Sequence, residues 1–210
     1  MSAAEQLDLP PMTFEDHLEH DIRTGIRHEI RDGVLVAMAG GTPEHGDAGT
    51  NVLRELSNEH VAGNPCKPSG SDQMVYQPDP GRGVYPDVSV VCGKRDFCEW
   101  TKHGKNVIAN PTLVVEVLSE STAQWDQTTK FERYQSIPTL REYVLIDPTT
   151  PWVRQFVRDG EEWRMRTRTE LDAAVEFESV GVTVPMKTIY FDVPTGAVST
   201  VRVQEEPEEA

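Results

Sequence analysis

With 210 residues, 37% of them hydrophobic, four Trp and five Tyr, the chain has the size and composition of one folded domain with a sizeable core, which excludes wholesale disorder. Its formal net charge is −15, from 35 acidic against 20 basic side chains, and part of the excess sits in an acidic tail, QEEPEEA, over residues 204–210. Such a balance repels phosphate overall and argues against a general nucleic-acid binder, unless cations cluster locally or bound metal offsets the acids.

No apolar run reaches the length needed to span a bilayer, and the first residues, MSAAEQLDLPP, lack a charged and then apolar leader. The expected compartment is the cytoplasm, with no membrane partner. Cys66, Cys92 and Cys98 are an odd set without a CxxC spacing, so they read as buried or incidental thiols rather than a disulfide framework.

Residues 1–12 are aperiodic and carry two prolines, the pattern of a loose arm, and a single domain is expected over 13–203. In TFEDHLEHDIR, Thr13 and Asp16 form a capping-box pattern that, with the following Leu18 and Ile22, suggests a short capped helix. HEIRDGVLVAM, residues 28–38, reads as a hairpin turning at Asp32-Gly33. A helix follows over 43–61 with Pro43 in its first turn and Val52, Leu53, Leu56 and His60 as an inner stripe. Residues 64–68 read as a loop. Strands are expected over 71–77 and 84–92, joined by the turn-rich PDPGRG, and 94–110 reads as a loop or short helix.

The stretch NPTLVVEVLSEST changes the problem. As a strand it sends Thr112, Val114, Glu116 and Leu118 to one face and Leu113, Val115 and Val117 to the other. Glu116 is then a carboxylate inside a run that reads as buried on both sides. Burial without a partner costs several kcal/mol or shifts the pKa until the group is neutral. Two compensations are open: a metal shared with Asp87, which follows Pro86 at the start of VSVV, or the ammonium of Lys130. The helix that follows, reaching about 137 and stopped by Pro138, starts at a capping-box pattern of Ser121 and Gln124. It sets Asp126, Lys130 and Tyr134 at i, i+4 and i+8. A turn acid at Asp87 and a solvated Asp126–Lys130 helix pair are the structural alternatives.

REYVLI, 141–146, reads as another strand, residues 152–168 as a hairpin around Asp159-Gly160, and 175–190 as a strand-rich closing segment. From Pro43 onward the order is α-β-β-β-α-β, an α/β chain with a mixed sheet flanked by helices and added hairpins. On the second hairpin Arg164, Arg166 and Arg168 share one strand face. Joined by Arg154 and Arg158 across the turn, they form either a phosphate-facing ladder or a solvated face balanced by Asp159, Glu161 and Glu162.

Tyr85-Pro86-Asp87, Val115-Glu116-Val117, then Lys130 and Tyr134, resemble the PD-(D/E)XK nuclease superfamily. More closely the chain resembles the bacterial Uma-two family of restriction endonuclease-like proteins. HEIRDGVL with GGTPEHGDAGTNVLREL matches that family's opening hairpin and helix, NPTLVVEVLSEST its central strand and IPTLREYVLID the next. The resemblance implies a restriction-endonuclease-like fold and Mg²⁺- or Mn²⁺-dependent cleavage of DNA, with Asp87 and Glu116 as metal ligands. Glu-X-Lys would place the lysine at 118, where this chain has Leu118; the related family's relocation to the helix points to Lys130 as the charge stabiliser. Glu29 and His45 also match positions of the family pattern. Carboxylates held on adjacent strands suit a hard cation that polarises phosphate, and a lysine nearby suits the charge that develops. One site cuts one strand, so a two-fold homodimer is the geometry expected for cutting a duplex. The competing readings are a catalytically weak nucleic-acid-binding or protein-interaction module on the same fold, and a metal hydrolase of a small phosphorylated substrate, which suits the acidic surface.

Overall fold

The computed structural model describes residues 12–31, 33–38, 40–98 and 106–196. In chain order the first half comprises α1 (Phe14–Thr24), β1 (His28–Arg31), β2 (Val34–Ala37), α2 (Pro43–Val61), β3 (Cys66–Gly70), β4 (Val75–Gln77), β5 (Arg82–Val84) and β6 (Val88–Cys92). Then come β7 (Leu113–Val117), α3 (Ala123–Gln127), α4 (Thr129–Gln135), β8 (Glu142–Asp147), β9 (Trp152–Asp159), β10 (Glu162–Arg168), β11 (Ala174–Phe177), β12 (Val182–Pro185) and α5 (Met186–Ile189). Most of the loose arm and all of the acidic tail expected from the sequence lie outside the described residues, as does Asp32 of the first hairpin turn.

A strand apolar on both sides has to lie inside a sheet covered on both faces, and β7 does. It is central in a six-stranded sheet of order β10-β9-β8-β7-β6-β3, and every residue of β7 is buried. Only β7 and β8 run parallel, with α3 and α4 as the crossover between them. Leu113, Val115 and Val117 face a core built with α2, the β11–β12 hairpin and α5, in which Val52, Phe177 and Ile189 are fully buried. Val114 and Leu118 face the other core, with Tyr134 from α4 and Tyr143 and Leu145 from β8. A third cluster of Phe14, Leu18, Met74, Tyr85 and Val107 seats α1. Slipping β7 by one residue would exchange Glu116 with a valine of the opposite face, so packing on both sides fixes the register.

Several elements follow the sequence closely. The Thr13–Asp16 capping box forms, α2 spans 43–61 as expected, and Gly33 and Gly160 take left-handed turns at φ 81° and 64°. Four corrections stand beside these. The expected loop over 64–68 overlaps β3, because Pro68 is tolerated on the outermost strand of a sheet. The expected strand over 84–92 is cut at Tyr85-Pro86-Asp87, leaving β5 to pair only with β4 in a small separate sheet. The single helix expected after β7 is divided at Thr128 (φ −124°, ψ −96°) into α3 and α4. Its expected Ser121–Gln124 cap is absent; Thr122 stands at the N-terminus of α3 and its hydroxyl meets Ser119 Oγ at 2.8 Å. Finally, Cys66 and Cys92 are not thiols: they oppose each other in the β3–β6 register and form a disulfide, leaving Cys98 as the free cysteine. A pairing across strands has no local spacing to announce it.

Candidate active site

β6 and β7 are antiparallel with Val88 opposite Val115, so Asp87 and Glu116 are the next positions outward on the two strands. The backbone N–H of Val117 donates to Asp87 Oδ2 at 2.7 Å, which ties the Pro-Asp turn to the β7 end. α2 passes over the same end: a Cβ on Gly49 would sit 3.7 Å from Val117 Cγ2 and 3.9 Å from Asp87 Cβ. Its first turn brings His45 Nε2 to 3.5 Å from Asp87 Oδ2. His45 is thus partly buried and turned inward, not a surface histidine.

Lys130 joins these groups from α4. Its ammonium lies 2.8 Å from Glu116 Oε1, 3.1 Å from Glu29 Oε1 and 3.5 Å from Asp126 Oδ1. Tyr134, one turn on, donates its hydroxyl to Glu116 Oε1 at 3.0 Å. The side chains of Glu29, Glu116, Asp126 and Lys130 are all 5% exposed or less, so the Asp126–Lys130 pair is not a solvated helix pair. The break at Thr128 leaves Asp126, Lys130 and Tyr134 buried together. Leu118, where the superfamily pattern would put the lysine, is a core residue with no exposed surface.

Glu29 comes from β1. It is buried, accepts the Tyr85 N–H at 3.2 Å and has Arg31 NH2 3.4 Å from its Oε2. The residue that precedes Pro86-Asp87 is therefore held by Glu29, and Asp87 sits between two backbone anchors.

The electrostatics follow from burial opposed by one cation. Burial drives the Glu116 carboxyl well above its ordinary pKa against the pull of Lys130, and Asp126, Asp87 and Glu29 add like charge. Asp87 is raised by burial, opposed by His45 and the Val117 N–H. Asp126 is raised by burial, opposed by Lys130, and its Oδ1 accepts no hydrogen bond. Burial would raise Glu29 too, but Lys130 and Arg31 outweigh it and hold the carboxyl below its ordinary value. Burial alone would discharge Lys130; Glu116, Glu29 and Asp126 reverse this and raise it well above the usual lysine range. One ammonium is thus shared among three acids, a surplus of negative charge in a closed space.

Among the described residues no three His, Cys, Asp or Glu side chains form a group able to hold a metal ion by themselves. The carboxylates that could hold a cation are Asp87 and Glu116, at neighbouring positions across the β6–β7 register. Two oxygen donors suit Mg²⁺, which keeps several of its waters and takes the rest of its shell from substrate phosphate.

The arginine hairpin takes the acid-balanced one of its two expected forms, apart from the site. Glu116 pairs with Leu145, Leu145 with Arg154 and Arg154 with Thr167, so this row shares one face of the sheet. Arg166 and Arg168 flank Thr167 and, with Arg164, lie on the opposite face from Glu116. Arg154 and Arg158 oppose Thr167 and Trp163, and do not join them. Glu178 pairs with both Arg164 and Arg166, and Asp159 with Arg164 at 3.2 Å, so acids offset this face as the second alternative expected, with Glu178 supplying the charge beside Asp159.

Arg31 was the site residue least visible in the sequence; alternation with Glu29 along β1 is the signal that could have found it.

Comparison with known proteins agrees with this architecture. The Uma2 family model, described as "Putative restriction endonuclease", matches residues 14–186. Uncharacterized protein slr1290 of Synechocystis sp. is 31% identical over 182 residues, covering 86% of this chain and 92% of the relative. Uncharacterized protein sll1609 of the same organism is 28% identical over 167 residues, covering 79% and 92%. A crystal structure of a "putative nuclease" from Anabaena variabilis superposes with a TM-score of 0.69 at 17% identity, over 86% of this chain and 98% of that one.

Proposed function

The chain belongs to the Uma2 family, and from that premise we propose that it is a metal-dependent endonuclease hydrolysing phosphodiester bonds in DNA. Asp87 and Glu116 would hold Mg²⁺ or Mn²⁺, which when bound supplies charge to polarise the phosphate. Lys130 stabilises the negative charge that develops on the phosphate oxygens, and Tyr134 keeps the Glu116 carboxylate oriented. Glu29 and His45 hold Lys130 and Asp87 in place. The observation that carries this reading is the meeting of Asp87 and Glu116 across the β6–β7 register with Lys130 Nζ 2.8 Å from Glu116. No helix among the described residues is long and apolar enough to cross a membrane. The cytoplasm is the compartment this reading implies. Two such sites in a homodimer would be needed to cut both strands in one encounter.

A second reading has one observation in its favour. Glu116, Lys130 and Glu29 are so deeply buried that the cluster could serve as a polar core in a catalytically weak binding module. Supercoiled plasmid incubated with Mg²⁺, Mn²⁺ or EDTA separates the two readings, with Asp87→Asn and Glu116→Gln purified in parallel. Nicking or linearisation is expected from the unaltered protein with metal alone. Equal cutting by the two variants would assign the activity to a contaminant and favour the binding module.

A further inference from the structure

In a chain with 35 acids and 20 bases, a cation should find a carboxylate easily. Among the described residues, two arginines beside the candidate site are held by carbonyls instead. Arg133, three residues after Lys130, points its guanidinium over the Trp125 ring at 4.7 Å from the centroid and donates to the Ile30 carbonyl at 3.3 Å. Arg82, at the start of β5, donates to the Met12 carbonyl. Among the described residues neither has an ion pair. Arg31 lies against the same Trp125 ring at 5.9 Å, with Glu29 as its counter-charge. β5, which begins at Arg82, packs against β1, which carries Arg31, and burial, then the like charge of Arg133, lowers the pKa of Arg82. Arg133 shares α4 with Lys130, and Arg31 shares β1 with Glu29.

We infer that Arg82, Arg31 and Arg133, on β5, β1 and α4 and with Trp125 as the shared spacer, form the track that takes the phosphodiester backbone of DNA into the site. This rests on the nuclease reading and extends it by naming the side of approach. Guanidinium forks match phosphate oxygens, and stacking on an indole fixes their direction at little cost in freedom. Cations spread over three elements suit a strand with repeated charges better than one small phosphorylated substrate, which needs its cations to converge. The track also meets the objection raised by the net charge, because binding needs a local basic strip and not a basic chain.

The test is fluorescence anisotropy with a labelled DNA duplex in EDTA, across a salt series, with single-turnover cleavage in Mg²⁺ as a second readout. Arg82→Gln/Arg133→Gln is expected to lose about tenfold in affinity per charge near ~0.1 M salt and to flatten the log–log salt slope by about 0.9 per phosphate contact. Its cleavage should need correspondingly more DNA to reach half its plateau. The charge-keeping Arg82→Lys/Arg133→Lys should retain the slope, which separates lost charge from damaged folding. Arg164→Gln/Arg166→Gln/Arg168→Gln should change neither. If the Gln double variant binds and cleaves like the unaltered protein, the track is overturned while the nuclease reading stands. A folded unaltered protein that neither binds duplex nor cuts it overturns both.

Discussion

Two buried carboxylates stand on adjacent strands of one sheet, facing opposite sides, and they are held in different ways. Glu142 of β8 pairs with Leu113 of β7 and faces the core under the β11–β12 hairpin. Its partners are neutral: Gln155 Nε2 donates to Oε1 at 2.8 Å and the Ser179 backbone N–H to Oε2 at 3.0 Å. Gln155 also donates to the Glu176 carbonyl, so Glu142 works as a latch between the sheet and the hairpin. Glu116 takes a lysine and a tyrosine, with three further acids close enough to raise its pKa. Two neutral donors are evidently enough to house a carboxylate in this core. The charge around Glu116 exceeds what burial requires, and strongly perturbed groups cluster at functional sites.

The sharpest way to break that contrast is to remove the cation. Lys130→Ala should destabilise the fold by about 3–5 kcal/mol, because it leaves buried acids uncompensated. Lys130→Met keeps the stem and fills more of the space, and is the better probe of activity. We expect the folded Met variant to lose about 100-fold or more in plasmid cleavage, the scale seen when one preorganised transition-state donor is deleted. A folded Lys130→Met protein that cuts at the unaltered rate would remove this lysine from the chemistry and leave Glu116 no different in kind from Glu142.

Glu116→Gln should separate activity from stability. It removes one of the acids competing for Lys130 and relieves the burial of a charge, so unfolding free energy should stay within about 2 kcal/mol of the parent or rise. Mn²⁺ binding by calorimetry and plasmid cleavage should both fall to background. Metal binding that survives in the folded variant would transfer Glu116 to the structural class.

What the sequence revealed of this site depends on how far apart in the chain the partners lie. Glu116 was legible because its own strand is apolar on both faces, and Lys130 with Tyr134 because helical spacing aligns them. The hairpins with Asp-Gly turns and the bounds of α2 were legible for the same local reasons. The burial of Glu29 was not, since β1 is four residues long and nothing within it says that α4 lies against it. The same holds for β3, whose Pro68 reads as a loop until the strand is seen at a sheet edge, and for the Cys66–Cys92 bridge. The arginines failed differently. Alternation correctly put Arg164, Arg166 and Arg168 on one face, but only the register carried across β7, β8, β9 and β10 says that it is the face away from Glu116.

The smallest expected effect concerns Glu142, and it sharpens the comparison from the other side. Burial raises the Glu142 carboxyl above its ordinary pKa, with the Ser179 and Gln155 hydrogen bonds pulling it back. A raised carboxyl holds its proton longer in the folded state than in the unfolded one, so the folded protein binds more protons in the interval between the two pKa values. Stability from this group is therefore fully present below the ordinary carboxyl value of 4.5 and declines as pH rises through the folded pKa. Glu142→Gln removes the titration. It also turns an amide NH₂ toward one of two donors, which costs about 1–2 kcal/mol at every pH. Urea unfolding across pH 4 to 7 should thus show the parent's advantage over the variant shrinking as pH rises, while plasmid cleavage by the folded variant stays at the parent rate. An advantage that grows with pH would mean that the latch prefers the charged carboxylate. Lost cleavage at full stability would place Glu142 in the functional class with Glu116.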